Sequence, residues 1–136
     1  MFDFRTKMNY IINLDRRKDR LEKLINMFNI HDVDISKFVK LSAVDGKTTD
    51  FSQFNWLFES IDRDSITNPV YAHRFKKGAL GCALSHFKVW ELILDSTHDD
   101  NDMFLICEDD IKFAPNFKEK YNKIIDIIEA DSEWDI

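Results

Sequence analysis

Cysteine, long apolar runs and an excess of positive charge are all scarce in this chain, and each absence removes a class of protein. The two cysteines, Cys82 in a helical pattern and Cys107 in a strand pattern, lack metal-site spacing. They predict two small buried thiols and no disulfide framework. No run approaches the roughly eighteen apolar residues of a membrane span. Met1 to Tyr10 also lacks the apolar core of a secretory leader, so the expected compartment is the cytoplasm. Nineteen Lys and Arg against 25 Asp and Glu leave a net charge of -6. That balance argues against nucleic acid as the main partner, because such affinity comes from neutralising phosphates with basic side chains. Repeats and low-complexity tracts are absent as well. What is present is 136 residues, 44% apolar and 32% charged, with twelve Phe. This describes a single folded domain over 1–136, able to bury roughly two-thirds of the surface of its unfolded chain.

Periodicity switches in an orderly way along the sequence. Asn9 to Leu14 is a short aliphatic and aromatic run, read as a strand, and it enters the charged corner Asp15-Arg16-Arg17-Lys18-Asp19-Arg20. Leu21, Leu24, Ile25 and Phe28 then repeat at three- and four-residue intervals, which predicts a helix capped or led by Asp19, with Glu22, Lys23 and Asn26 in water. Phe38 to Leu41 reads as a second strand closed by Asp45-Gly46. Thr48 to Ile61 is expected to form one or two short helices, and Asp62 to Lys77 a loop over a site. Gly78 to Leu94 is again helical, with Phe87 and Trp90 expected in the core. Met103 to Cys107 predicts a third strand, and Asn116 to Ile128, with Tyr121, Ile124, Ile125 and Ile128 on one stripe, a further helix. Trp134 to Ile136 reads as the start of another strand, so the sheet is expected to be incomplete at the C-terminal end. The alternation of strand and helix predicts an α/β class with a mostly parallel sheet flanked by helices, of the kind that binds nucleotides.

Glu108-Asp109-Asp110 follows the third expected strand directly. Ligands collect at the carboxyl edge of such a sheet, so acids placed there meet a ligand and its cation. Mg²⁺ and Mn²⁺ prefer carboxylate oxygens completed by water and phosphate. Residues two apart on a strand point the same way, so Glu108 and Asp110 are expected to supply them from one face of the extended backbone. A solvated acidic turn is the plain alternative.

Four segments in order resemble glycosyltransferase family 25, which includes lipooligosaccharide sugar transferases and collagen galactosyltransferase-like enzymes. They are Tyr10 to Arg20 (YIINLDRRKDR), Ala43-Val44-Asp45-Gly46, Gly78 to Trp90 (GALGCALSHFKVW) and Ile106 to Asp110 (ICEDD). The resemblance implies a GT-A type fold and a nucleotide-sugar donor, usually UDP-linked. It further implies Mn²⁺- or Mg²⁺-assisted transfer, with inversion, to a hydroxyl of a glycan or protein acceptor. By the same resemblance Asp110 is the first choice for the metal, with Glu108 holding the metal or the ribose and Asp109 reaching the sugar. Asn13 and Leu14 would receive the nucleoside, the Asn13 amide pairing with a base edge. Arg17 and Arg20 would take phosphate or ribose oxygens, where a guanidinium fork suits them better than an ammonium. Gly78 and Gly81 would let the backbone approach a phosphate. Ser85 would bond the nucleotide or sugar, and His86 a phosphate or a neighbouring acid. For Arg20 a solvated pair with an acid, and for His86 a structural helix position, stay open as alternatives.

No spacing selects a general base among Asp45, Asp62 and Asp64, so the catalytic residue is left unassigned. Two readings compete with the enzyme: a nucleotide-sugar-binding domain without turnover, and a scaffold whose edge docks another chain. A homo-oligomer or a completing subunit is compatible with either.

Overall fold

The computed structural model describes residues 2–50, 52, 77–99 and 101–131. Three parallel strands form its sheet in the order β2-β1-β3: β1 Met8–Asn13, β2 Phe38–Ser42 and β3 Phe104–Glu108. Each connection carries helix across the sheet, as parallel pairing requires. α1 is Lys18–Ile30, α2 Lys77–Leu94 and α3 Phe117–Ala130. The α/β class with a parallel sheet is therefore as the periodicity predicts, and the element limits differ from expectation by one or two residues. The segments 53–76 and 132–136 lie outside the described residues. They hold most of the expected short helices, the expected loop and the expected last strand.

β1 is the central strand, and all of it after Met8 is buried. Its alternating side chains feed two cores. Ile11 joins Phe4, Leu24, Phe28 and Val33 on the face covered by α1, where Phe117 and Tyr121 of α3 also pack. Tyr10 and Ile12 join Val89 of α2 on the other face, with Leu41, Phe104 and Ile106. The fold is thus a sheet between helical layers. Among the described residues Phe28, Ile11 and Leu24 are the largest fully buried apolar side chains, each worth about 1.5–3 kcal/mol for removal from water.

α1 follows its predicted stripe: Leu24 and Phe28 are buried, while Glu22, Lys23 and Asn26 face water. Its N-cap is Arg17, whose side chain makes no capping bond, and Asp19 sits in the first turn. There the acid favours the positive end of the helix dipole. Three expected apolar positions on other elements are displaced. Phe87 and Trp90 are 42% and 49% exposed, packed edge-to-face on one another at 5.1 Å, because the sheet covers only the stripe of α2 that carries Leu84, Ser85 and Val89. On α3, Ile125 is buried and Ile124 is 55% exposed, so the inward stripe runs through Tyr121, Ile125 and Ile128.

Candidate functional site at the carboxyl edge of the sheet

β1, β2 and β3 end at Asn13, Ser42 and Glu108, side by side at one edge. A cleft of about 490 Å³ opens there, lined by Leu14, Arg16, Arg20, residues 43–47, Lys77, Gly78, Cys82, Ser85, Glu108 and Asp109, with Ile12 at its floor.

The three acids after β3 part company because of the strand geometry. Glu108 pairs with Ile12 in the register and shares its α2 side. Its Oε1 accepts from Cys82 Sγ at 3.4 Å and lies 3.2 Å from His86 Nε2. Cys82 and His86 are one helical turn apart on α2, so they present to the same acid. Asp109 alternates to the α1 side and is buried. Asn13 Nδ2 donates to its Oδ2 at 2.7 Å, and Arg20 Nη1 to its Oδ1 at 3.0 Å. The chain turns at Asp109 and Asp110, so Asp110 does not return to the face of Glu108 as an extended backbone would make it do. Arg20 Nη1 instead reaches Asp110 Oδ2 at 3.2 Å. Charge neutralisation and two hydrogen bonds make burial of Asp109 affordable.

Asn13 is 2% exposed and spends its amide N–H groups on Asp109 and on the carbonyl of Arg17, 3.3 Å away. Its own carbonyl accepts from Ala43 N at 2.9 Å. It therefore ties β1 to the loop after β2 and to the acid after β3, and both hydrogen bonds of its amide nitrogen go to protein partners. Leu14 lines the cleft, and its carbonyl closes the turn onto Arg17 N at 2.7 Å. Arg17 grips Asp19 with both Nε and Nη2, at 2.8 and 2.7 Å. That fork pulls the Asp19 carboxyl down to about 2. Arg17 and Asp110 line a second hollow, about 310 Å³, with Arg20 and Asp109 forming the ridge between the two.

The far wall is built by close approach of the loop 43–46 to the start of α2. A Cβ on Gly81 would stand 2.5 Å from the Val44 carbonyl oxygen, and one on Gly46 1.9 Å from that of Lys77. Glycine is needed at both places for space; Gly78, also on the cleft, meets nothing within 4 Å. Ser85 is wholly buried: its hydroxyl donates to the Gly81 carbonyl at 2.6 Å and accepts from Val44 N at 2.8 Å. Its described contacts hold the wall in place.

Sequence reasoning did not single out Arg16, Lys47, Lys77 or Cys82, which also line the cleft. Arg16 clasps Asp45 through Nε and Nη2. That guanidinium, followed by the Lys47 backbone N–H, holds the Asp45 carboxyl below the usual range. The clue to Arg16 lay in the charged corner after β1, where one of several basic residues had to point into the edge. Cys82 is exposed on the cleft, not buried as expected. Its thiol is raised by burial of the sulfur first and by the Glu108 charge second. Cys107, on the α1 side of β3, is pushed up to about 11 by burial alone.

The parallel sheet, with a cleft at its carboxyl edge lined by guanidinium and carboxylate groups, defines an α/β protein with a charged cleft where such folds take their ligands. The chain belongs to glycosyltransferase family 25 (LPS biosynthesis protein), whose model matches residues 6–135. Over 129 residues it is 33% identical to procollagen galactosyltransferase 2 of Mus musculus, covering 93% of this chain and 19% of that protein. It is 30% identical over 128 residues to procollagen galactosyltransferase 1 of Danio rerio, and 27% identical over 128 residues to inactive glycosyltransferase 25 family member 3 of Mus musculus. Each of these two matches covers 93% of this chain and 20% of the relative. The chain thus spans about one-fifth of the length of these relatives. No solved structure matches it. Among the described residues no helix is long and apolar enough to cross a membrane.

Proposed function

We propose that this chain is the donor-binding part of a glycosyltransferase that moves a sugar from a UDP-linked donor to a hydroxyl of a glycan or protein, with a divalent metal and with inversion. The observation that carries the reading is the concentration of charge around one cleft. Arg16, Arg20, Lys47 and Lys77 line it as cations for a diphosphate, beside the carboxylates Asp45, Glu108 and Asp109, and Arg16 and Arg20 are held in place by their bonds to Asp45 and to Asp109 and Asp110. Guanidinium groups bind phosphate oxygens in pairs, and such a wall favours the ionised leaving group over the intact ester.

Glu108 on the cleft and Asp110 on the neighbouring hollow each have an oxygen to offer Mn²⁺ or Mg²⁺. Glu108 engages its partners through Oε1 and Asp110 through Oδ2. Among the described residues the second oxygen of each makes no hydrogen bond or ion pair. Both side chains are exposed, as a hard cation that keeps several waters requires. A bound ion supplies Lewis-acid stabilisation of the departing diphosphate. Asp109 differs: both its oxygens are committed, so its part is to hold Arg20 and the end of β1 in place. In this reading Leu14 contacts the nucleoside, Arg20 a phosphate, and Gly78 leaves space for the donor beside α2. Arg17 has first to leave Asp19 before it can take an anion.

A second reading is favoured by the likeness to a relative named inactive: the chain binds the nucleotide sugar without turning it over. The test is a thermal shift with UDP, UDP-glucose or UDP-galactose, each with Mn²⁺ or with chelator, in the parent and in Asp110→Ala and Glu108→Gln. Ligand at a hundred times its dissociation constant adds about 2.7 kcal/mol, several degrees in a domain of this size. A metal-dependent rise that the variants lose supports a donor site, and release of UDP with an acceptor present then separates enzyme from binder. A well-folded protein indifferent to every donor would overturn both readings.

A further inference from the structure

We infer that Cys82, His86 and Glu108 form a binding site for a borderline divalent transition ion of the zinc class, distinct in its donor set from an all-oxygen Mn²⁺ or Mg²⁺ site. The three donor atoms all lie within 4.8 Å of one another. The two measured separations are more specific: 3.4 Å from Cys82 Sγ to Glu108 Oε1, and 3.2 Å from His86 Nε2 to the same oxygen. Zn–S bonds near 2.3 Å and Zn–N or Zn–O bonds near 2.0 Å, set at tetrahedral angles, place S and O about 3.5 Å apart and N and O about 3.3 Å apart. Two of the three pairs are therefore already spaced as ligands around a small ion, and the third, Cys82 Sγ to His86 Nε2, lies within 4.8 Å.

Their origins add to the argument. Cys82 and His86 are four residues apart on α2, so both project to one side of a rigid helix. Glu108 is the last residue of β3 and reaches that same side through the strand alternation. Both the Cys82 and the Glu108 side of the cluster line the cleft, so three protein ligands leave a fourth position open towards it. That is the pattern of an accessible site and not of a closed structural one. A thiolate with an imidazole selects for zinc-class ions over Mg²⁺ and Mn²⁺. On binding, the Cys82 thiol gives its proton to solvent and the sulfur lone pair goes to the ion. No oxidant or reductant is involved.

Co²⁺ added to the metal-free protein, with no nucleotide present, tests the site independently of donor binding. The expected result is the near-ultraviolet thiolate-to-cobalt charge-transfer band with strong visible bands of tetrahedral cobalt, all bleached by stoichiometric Zn²⁺. Cys82→Ser abolishes the charge-transfer band. His86→Ala weakens binding by more than the ~10–100-fold that loss of an outer-shell partner costs. Cys107→Ser leaves the spectrum unchanged. A folded parent protein with no thiolate band, or a band that survives Cys82→Ser and disappears in Cys107→Ser, would overturn the inference. Mg²⁺ bleaching the cobalt as well as Zn²⁺ does would overturn the class of ion.

Discussion

Asn13 is the residue whose replacement asks most of this account. Its amide joins the central strand to the buried carboxylate of Asp109 at 2.7 Å and to the Arg17 carbonyl at 3.3 Å. Asn13→Leu keeps the approximate shape and removes both donors, leaving Asp109 with Arg20 alone. A hydrogen bond to a charged group is worth about 1.5–3 kcal/mol, so a loss of about 2–3 kcal/mol is expected. At about 4 °C per kcal/mol for a chain of this length, Tm falls by roughly 8–12 °C. Asn13→Asp is the sharper test. It sets a second carboxylate about 3 Å from the first, a repulsion of about 5 kcal/mol at an effective dielectric constant near 20. The introduced carboxyl escapes by keeping its proton in the folded state, so its folded pKa rises above the unfolded one. A raised pKa gives stability that is present below the unfolded value and is lost as pH rises. The Asn13→Asp variant should therefore lose up to about 1.4 kcal/mol per pH unit relative to Asn13→Leu across the neutral range. Thermal melts followed by circular dichroism between pH 5 and about 8 measure both effects. A Tm for Asn13→Leu within a degree or two of the parent, or a flat pH difference between the variants, would refute the buried network.

Three further outcomes follow from local geometry. The Asp19 carboxyl, titrated by carbon NMR, should show a midpoint of about 2 and return to the usual carboxylate range in Arg17→Met. Because that pKa is depressed, its stabilising effect is complete above the unfolded value and fades as pH falls through about 2; a midpoint near 4 would contradict the fork. Gly81→Ala pushes a methyl group to 2.5 Å from the Val44 carbonyl oxygen and should cost about 1–3 kcal/mol in chemical denaturation. Gly78→Ala, with open space around it, should be neutral or gain up to about 1 kcal/mol; the reverse order would falsify the close approach of loop and helix. Finally, alkylation under mildly alkaline conditions should modify Cys82 before Cys107, since burial lifts the Cys107 thiol to about 11. Peptide mapping that found Cys107 labelled first in the folded protein would count against its position.

Much of the architecture was legible because periodicity reports which residues share a face. The runs at Asn9 to Leu14, Phe38 to Leu41 and Met103 to Cys107 predicted three strands, and the stripe through Leu24 and Phe28 gave the covered side of α1. Periodicity does not report what a face meets. α2 is apolar around more of its circumference than one sheet can cover, which is why Phe87 and Trp90 read as core and stand exposed. The site was legible as a set of segments, and less so as contacts. Glu108, Asp109 and Arg20 do reach one cleft. The separation of Glu108 from Asp110 depended on where β3 ends, a one-residue matter that composition cannot resolve. The clasp of Arg16 on Asp45 spans 29 positions in the chain and has no local signal. Cys82 was read as filler because its partner, Glu108, is likewise distant in sequence.

The alternation of a β-strand is enough to explain why one acidic triplet can serve two chemistries. Glu108 leaves the sheet on the α2 side, where a thiol and an imidazole wait; Asp109 leaves on the α1 side, where Asn13 and Arg20 hold it. Had β3 paired with β1 one residue out of its register, these partners would have changed places, since such a slip moves every side chain to the opposite face. A ligand lying across the end of β1 therefore meets guanidinium groups on one flank and the donors of the proposed ion site on the other. A metal-bound diphosphate has that polarity. It would lie with its phosphates towards Arg16 and Arg20 and its cation towards Glu108, and charge reversal at Arg20, which lines the cleft, should weaken it more than the same change at Arg17, which lines only the neighbouring hollow.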